Sequence, residues 1–181
     1  MPDYAAFLRG INVGGHNPVP MQKLKQAFKS LRFKNVRTVL ASGNVLFEAP
    51  RAGEAALERK IAAVLLKTFK HDIGVLVRTV EDLQRLSEAQ PFKGTAVTPQ
   101  TRLYVTFLSE MPGEALRVPF SSPRGNFTIL RASGREVCSV LTLTPDSRSV
   151  DMMQILEKRF GRKITTRNWQ TLARMLKGYQ K

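Results

Sequence analysis

A loop rich in glycine and asparagine follows the first apolar run of the chain. Residues 9–17 read Arg-Gly-Ile-Asn-Val-Gly-Gly-His-Asn, and the exposed backbone N–H groups of such a loop can bind an anion. The order of residues matches neither Gly-x-Gly-x-x-Gly nor a P-loop, because no Gly-Lys-Ser/Thr follows. In the alternative interpretation, the glycines only let the chain turn beneath a helix.

A second polar segment, Ser42-Gly43-Asn44, separates two β-rich stretches. In a split βαβ unit the third strand lies between the first two and runs antiparallel to them, so this turn is expected beside the end of the first strand. The two segments then form either a polar cup for a small anion or a corner in which the Asn amides satisfy loop backbone groups. The candidate ligand-binding residues are Arg9, Gly10, Asn12, Gly14, Gly15, Ser42 and Asn44.

The familiar catalytic and metal-binding motifs are missing from the sequence. His16 and His71 stand in no HxxxH or HExxH spacing, and no GxSxG elbow occurs. Cys138 is the single cysteine and lies in a β-rich run, which predicts an inert buried thiol rather than a nucleophile. We expect no metal site, no cofactor and no catalytic residue that the spacing alone identifies.

The charge of the chain is strongly unbalanced, with 29 Lys and Arg against 14 Asp and Glu and a formal net charge of +15. Such an excess favours an acidic partner, nucleic acid or another polyanion, whereas the alternative is a well-solvated basic surface. Trp169 lies in phase with Leu172 and Leu176, which predicts a buried or half-buried ring rather than a base-stacking platform. The candidate polyanion-binding residues are Lys23, Lys29, Arg32, Arg162, Lys163, Arg167 and Arg174.

The cysteine content and the lengths of the apolar segments predict the cellular compartment. One cysteine allows no intramolecular disulfide, which suits a reducing compartment. No segment approaches about 18 uninterrupted apolar residues, and the N-terminus lacks the basic and apolar regions of a signal peptide. We therefore expect a cytoplasmic protein with no membrane partner.

The elements that position these residues follow from periodicity and turn signals. Residues 4–8 predict a strand, Met21, Leu24, Phe28 and Leu31 mark one face of a helix, and 36–40 with 45–47 predict a hairpin. A second helix, a strand over 73–77 and a short helix after a capping box at Thr79 and Asp82 complete the order βαββαβ plus a helix.

The order of elements restarts after a segment rich in proline and glycine. Strands are predicted at 103–108, 127–130, 137–143 and 163–165, with a helical turn at 113–118, a helix at 150–160 and a last helix containing Trp169. The predicted fold is α+β, with tandem ferredoxin-like halves whose antiparallel sheets carry helices on one face. The halves are expected at residues 1–92 and 101–181, with a linker at 93–100.

Three segments stand out together along the chain: residues 7–15, Leu40-Ala41-Ser42-Gly43-Asn44-Val45, and Thr166-Arg167-Asn168-Trp169. They resemble the signature segments of a bacterial family, domain of unknown function 1697. The resemblance implies a two-part ferredoxin-like body and no established activity. The RNA recognition motif shares the βαββαβ order, but the third strand here, residues 43–48, lacks most of its stacking aromatics.

Three functional hypotheses follow. The first is a non-enzymatic binding protein for nucleic acid or another polyanion, which contacts phosphates rather than base edges. The second is a binder of, or enzyme acting on, small molecules or phosphate esters at the Gly10–Gly15 loop and the Ser42–Asn44 turn. The third is a self-association module, because an apolar sheet face left uncovered must be buried by the other half or by a second copy.

Overall fold

The computed structural model describes residues 1–145 and 149–179, which contain five helices and two antiparallel sheets. The chain divides into two units, the first formed by residues 1–85 together with the C-terminal residues from Arg174 onward, and the second by residues 86–173. The sequence predicts halves at 1–92 and 101–181. The observed division differs in two places, because residues after 85 already belong to the second unit and residues from Arg174 belong to the first.

The first unit contains the βαββαβ order that the sequence predicts. Its strands form a sheet in the order β2-β3-β1-β4, and each neighbouring pair is antiparallel. The tight turn at 40–43 folds β3 back against β2, and β3 pairs with β1 on its other side, so the third strand lies between the first two. The elements are β1 Asp3–Leu8, α1 Met21–Ser30, β2 Lys34–Val39, β3 Asn44–Glu48, α2 Glu54–Phe69, β4 Val75–Thr79 and α3 Val80–Glu88, which continues into the second unit.

One face of the first sheet packs against α1 and α2. Alternate residues of a strand point to the same side, so Tyr4, Ala6 and Leu8 of β1 share a core with Leu24 and Phe28 of α1 and with Leu57 and Ile61 of α2. At the centre of this core, the Phe47 ring contacts Tyr4, Phe28 and Phe33 at centroid distances of 5.7, 5.4 and 4.7 Å. These aromatic contacts hold α1 on the sheet.

The opposite face of the first sheet is also buried. Ala5 and Phe7 are fully buried, Leu46 is 1% exposed and Leu76 is 7% exposed. The first sheet therefore presents apolar residues on both of its faces, and self-association stays a prediction.

The second unit is built around a five-stranded antiparallel sheet in the order β6-β7-β8-β5-β9. Four of its strands, β7-β8-β5-β9, follow the same relative order as β2-β3-β1-β4 in the first sheet. Phe127, Ile129 and Leu141 form a core with Met152 and Leu156 of α4. The elements are β5 Thr101–Leu108, β6 Phe120–Ser121, β7 Phe127–Ser133, β8 Glu136–Thr142, α4 Ser149–Phe160, β9 Ile164–Asn168 and α5 Trp169–Leu176, which ends in the first unit.

Two sequence predictions are wrong in detail. Residues 113–118 form bends and irregular chain rather than a helical turn. Pro112 and Pro119 leave room for little more than one turn, which is costly to nucleate, and the residue before a proline disfavours helical geometry. The fourth strand is Val75–Thr79 rather than 73–77, and Ile73 instead belongs to the core from a loop position.

Within residues 1–145 and 149–179, no helix combines the length and the apolar character needed to cross a bilayer.

Candidate functional site

The structure brings the Gly10 loop and the Ser42–Asn44 turn together, as the sequence predicts. The backbone N–H of Leu8 donates to Gly43 O at 2.8 Å, and Asn12 Nδ2 donates to Ala41 O at 2.8 Å. The backbone N–H of Arg9 donates to Gly74 O at 2.8 Å. Three loops therefore meet at the end of β1.

The asparagine side chains at this corner bond to the protein itself. Asn12 Nδ2 also donates to Val19 O at 3.0 Å, and Asn12 Oδ1 accepts the Val19 N–H at 2.7 Å. The buried Asn44 donates from Nδ2 to Val39 O at 2.8 Å and to Ser42 Oγ at 3.0 Å. These bonds use the amides as internal braces, which supports the structural interpretation over an anion-binding cup.

Gly43 shows why the corner needs glycine. Its φ is +83°, and a Cβ built there would lie 2.8 Å from both Leu8 Cβ and Ile11 Cδ1. Any side chain would collide with the two residues that seal the end of β1. In contrast, Gly10, Gly14 and Gly15 lie in the exposed part of the loop, beside the half-buried Arg9.

The positive charge of the chain is concentrated in two stretches that contain no carboxylate. Residues 4–47 hold seven basic and no acidic residues, and residues 158–181 hold eight basic and no acidic residues. The remainder of the chain has 14 basic and 14 acidic residues and is neutral. The net charge of +15 thus comes entirely from these two acid-free segments. Sequence reasoning listed several of their residues but missed the segregation, which the spacing of Asp and Glu shows directly.

Helix α1 does not present its lysines on one face. Lys25 and Lys29 are four residues apart and share a flank, whereas Lys23 lies roughly 120° around the helix from Lys29. There Lys23 Nζ lies 5.5 Å from the centre of the Phe69 ring of α2. Arg32 follows the helix with a φ of +62° and is exposed. The predicted trio of Lys23, Lys29 and Arg32 therefore forms two separate groups.

The two acid-free segments meet within the first unit. Gly178 contacts Arg37 of β2, since a Cβ on Gly178 would lie 3.2 Å from Arg37 Nη1, and the Arg37 guanidinium lies 5.4 Å from the Tyr179 ring centre. The exposed Lys177 precedes this contact. We use the name "α1–β2 basic surface" for the half-buried Lys25 and the exposed Lys29, Arg32, Lys34 and Arg37.

Two carboxylates border this surface. Asp3 and Glu48 are register partners in the β1–β3 pair. Asp3 accepts a hydrogen bond from the Tyr179 hydroxyl at 3.1 Å, and Glu48 accepts one from Asn35 and is the register partner of Lys34. Lys34 therefore has a carboxylate beside it, that of Glu48 on the neighbouring strand β3.

In the second unit, Arg167 was predicted to bind a polyanion, but its side chain is buried. Arg167 is 9% exposed and donates to Thr165 Oγ1 at 2.8 Å and to Thr166 O at 2.9 Å. Burial lowers the pKa of Arg167 to about 10. Arg167 is a buried structural group and not a surface cation, because an inward-facing strand position decides its environment. Arg162 and Lys163 are exposed beyond the end of α4, and Arg174 is exposed on the part of α5 that belongs to the first unit.

Two features bear on metal and nucleophilic chemistry, clusters of metal-ligating side chains and the Cys138 thiol. In the described part of the chain, no three His, Cys, Asp or Glu side chains gather as metal ligands would. The Cys138 thiol is buried, and its pKa is raised to about 12, chiefly by desolvation. A thiol in this state is a poor nucleophile at neutral pH.

Fold and sequence together define a mixed α+β protein with two antiparallel sheets, whose net positive charge comes from two acid-free segments of the chain. The family described as "Protein of unknown function (DUF1697)" matches residues 1–138, and the chain belongs to this family. Conserved bacterial protein SP0830 from Streptococcus pneumoniae has a similar solved structure, with a TM-score of 0.70, 22% sequence identity and coverage of 96% of each chain. No curated protein matches the chain significantly.

Proposed function

We propose that this protein is a non-enzymatic nucleic-acid-binding protein that contacts the phosphate backbone through its two acid-free segments. The observation that carries the proposal is the segregation of the whole net charge of +15 into residues 4–47 and 158–181. A basic surface that serves only solubility gains nothing from excluding carboxylates over such lengths. A surface that binds phosphates gains from it, because every nearby carboxylate repels the ligand.

Phosphate binding fits the chemistry of the α1–β2 basic surface. Its side chains are long, mostly exposed cations that can neutralise phosphates and release condensed counterions. The Arg37 contact adds Lys177 from the C-terminal segment to the same unit. Such contacts carry affinity and strong salt dependence with little sequence preference.

The burial of the first sheet argues against the binding mode of the RNA recognition motif. That motif stacks bases on aromatic residues of the sheet face opposite its helices. The corresponding face here carries Ala5, Phe7, Leu46 and Leu76, and all four are buried. Binding through the helix and the edge strand β2 is the mode that the exposed residues support.

The test measures affinity for a labelled duplex DNA over a range of salt concentrations. Each lost phosphate contact lowers the slope of log affinity against log salt by about 0.9. In a variant with Lys29→Gln, Arg32→Gln and Lys34→Gln, we expect a slope shallower by about 2 to 3 units. The matched control is Arg51→Gln, Arg59→Gln and Lys60→Gln, three exposed residues of the same unit outside the acid-free segments.

The control removes the same charge, so it should leave the slope nearly unchanged. Equal effects of the two triple variants would show that only net charge matters and would contradict a localised phosphate-binding surface. If the unmodified protein retards no nucleic acid at low salt, where electrostatic binding is strongest, the proposal is wrong. Circular dichroism of each variant verifies that the fold is retained.

The two units have a related strand order, which bears on how the chain arose. We propose that the two units are tandem ferredoxin-like halves that arose by duplication of one split βαβ unit. The shared strand order supports this, while the second unit replaces the first helix with the irregular residues 109–119. Superposition of β1, β3, α2 and β4 on β5, β8, α4 and β9 in an experimental structure tests it.

We also propose a cytoplasmic location, for which the buried single thiol of Cys138 is the support. Fractionation of cells that produce the full chain tests this.

A further inference from the structure

A cavity of about 360 Å³ opens in the second unit, beside the junction of β9 with α5. Val97, Arg102, Leu103, Asn168, Trp169 and Gln170 line it. Asn168 and Trp169 belong to the signature segment 166–169, for which phosphate binding gives no role. Its lining residues come mainly from the second acid-free segment and from strand β5, which pairs with β9.

The Trp169 ring is half-buried and held in place. It contacts Phe92 edge to face, with ring centres 5.1 Å apart and planes at 70°. Trp169 directly follows β9, whose last residue Asn168 is the register partner of Tyr104 in β5. The indole is therefore a wall fixed by the sheet and by an aromatic neighbour.

Polar groups of the cavity are also pre-positioned. Asn168 Oδ1 accepts the backbone N–H of Gln170 at 2.9 Å, which caps α5 and leaves the two N–H donors of the Asn168 amide for a ligand. Arg102 Nη1 donates to Pro99 O at 2.8 Å and to Thr101 O at 3.0 Å. These bonds fix the guanidinium at the cavity, while its Nη2 and Nε groups supply further donors. The Gln170 side chain is exposed.

We propose that this cavity binds one unpaired nucleobase of a single-stranded nucleic acid, an inference that rests on the proposed function. An aromatic wall with amide and guanidinium groups is the set that receives splayed-out bases, by stacking on the ring and bonding to the base edge. The sequence predicts no base-stacking role for Trp169; the half-burial of the ring agrees with that prediction, but the cavity beside the ring is a feature that the helical spacing does not reveal. The volume lies in the range of small ligand pockets. The exposed Arg162 and Lys163 precede β9 and therefore lie at the opposite end of that strand from the cavity, where they can contact phosphates several nucleotides along a bound strand.

The chain contains a single tryptophan, so its fluorescence reports on this cavity alone. We expect a single-stranded oligothymidylate of ten nucleotides to change Trp169 emission saturably. A duplex of equal length should bind through phosphates without that change, because its paired bases cannot enter the cavity. Thymidine monophosphate is the third arm and separates a strand site from a nucleotide site.

Variants then test the contacts one at a time. Trp169→Leu should weaken binding of the labelled single strand by roughly tenfold or more and leave duplex binding unchanged. Trp169→Phe retains a ring and should lose less affinity. Gln170→Ala should weaken single-strand binding, whereas Gln154→Ala, an exposed glutamine on α4 of the same unit, is the matched control. Thermal unfolding verifies that each variant folds.

The outcomes separate the two proposals. One outcome is salt-sensitive binding of both the single strand and the duplex, with unchanged Trp169 emission and no effect of Trp169→Leu. That outcome would overturn the base site and leave the proposed function standing. Failure of any nucleic acid to bind at low salt would overturn both. Binding of thymidine monophosphate as tight as that of the ten-nucleotide strand would overturn the assignment to a strand.

Discussion

The guanidinium of Arg37 lies 5.4 Å from the centre of the Tyr179 ring, which joins the edge strand β2 to the C-terminal turn. The Tyr179 hydroxyl donates to Asp3 Oδ1 at 3.1 Å, and Gln84 Nε2 donates to Tyr179 O at 3.0 Å. Three parts of the first unit thus hold the end of the chain. This anchoring places Lys177 in the same unit as the α1–β2 basic surface.

Tyr179→Phe tests the anchor. The change removes the hydroxyl and its hydrogen bonds to Asp3 and Arg37 but retains the ring beneath Arg37, so we expect a loss of about 1 kcal/mol in the free energy of unfolding, measured by urea titration. Tyr179→Ala should cost more, because the contact with Arg37 is lost as well. Equal stabilities of the two variants would show that the ring contributes nothing.

Tyr179 also predicts a dependence of stability on pH. Partial burial raises the pKa of its hydroxyl above the usual 10, and the carboxylate of Asp3 raises it further against the opposing effect of Arg37. A raised pKa means that the folded state holds the proton more tightly, so this contribution is present below pH 10 and is lost as pH rises above it. Titration of absorbance at 295 nm should show one late-titrating tyrosine disappear in Tyr179→Phe.

Arg167→Gln and Arg162→Gln should have opposite consequences. Arg167 is buried and bonds to Thr165 and Thr166, so its loss should destabilise the protein by about 2 to 4 kcal/mol and leave the salt slope of duplex binding unchanged. Arg162 is exposed, so Arg162→Gln should make the slope shallower with little effect on stability. A reversed pattern would contradict the structural role of Arg167.

Gly43→Ala tests the close approach at the corner. The new Cβ would meet Leu8 and Ile11 at 2.8 Å, in addition to the strain of a positive φ, so we expect a loss of about 3 kcal/mol. Gly10→Ala is the control, since its φ is +67° but nothing lies within 4 Å of the new Cβ, and it should lose only about 1 kcal/mol. Chemical denaturation measures both, and similar losses would refute the collision.

Asn12→Ala tests whether the corner is structural. The side chain makes three hydrogen bonds to backbone groups, so its removal should cost about 2 to 4 kcal/mol. Asn17→Ala is matched in its positive φ but loses a single bond to Gly10 O, so it should cost distinctly less. Calorimetric titration with inorganic phosphate should detect no binding that depends on Asn12. A phosphate affinity that Asn12→Ala abolishes would restore the anion-binding cup.

Much of the first unit was predictable because local signals agree with tertiary packing. The apolar spacing of Met21, Leu24 and Phe28 predicted α1, and Thr79 caps α3 as predicted, with the Asp82 N–H donating to Thr79 Oγ1 at 3.1 Å. The second unit was less predictable. The segment 113–118 has helix-forming residues, but Pro119 disfavours helical geometry at Val118, and the few residues before it are too short to nucleate a stable helix.

The family, the strand order of the first sheet and the charge segregation could be inferred from the sequence, since they follow from residue identity, from local periodicity and from the order of the elements. Three other features depend on how the chain packs: Arg167 is buried while Arg162 is exposed, the Lys23 ammonium lies over the Phe69 ring, and Tyr179 returns to Arg37. The physical reason is that solvent exposure and long-range contact depend on which surfaces pack together, and one-dimensional spacing carries no information about the partner of a face.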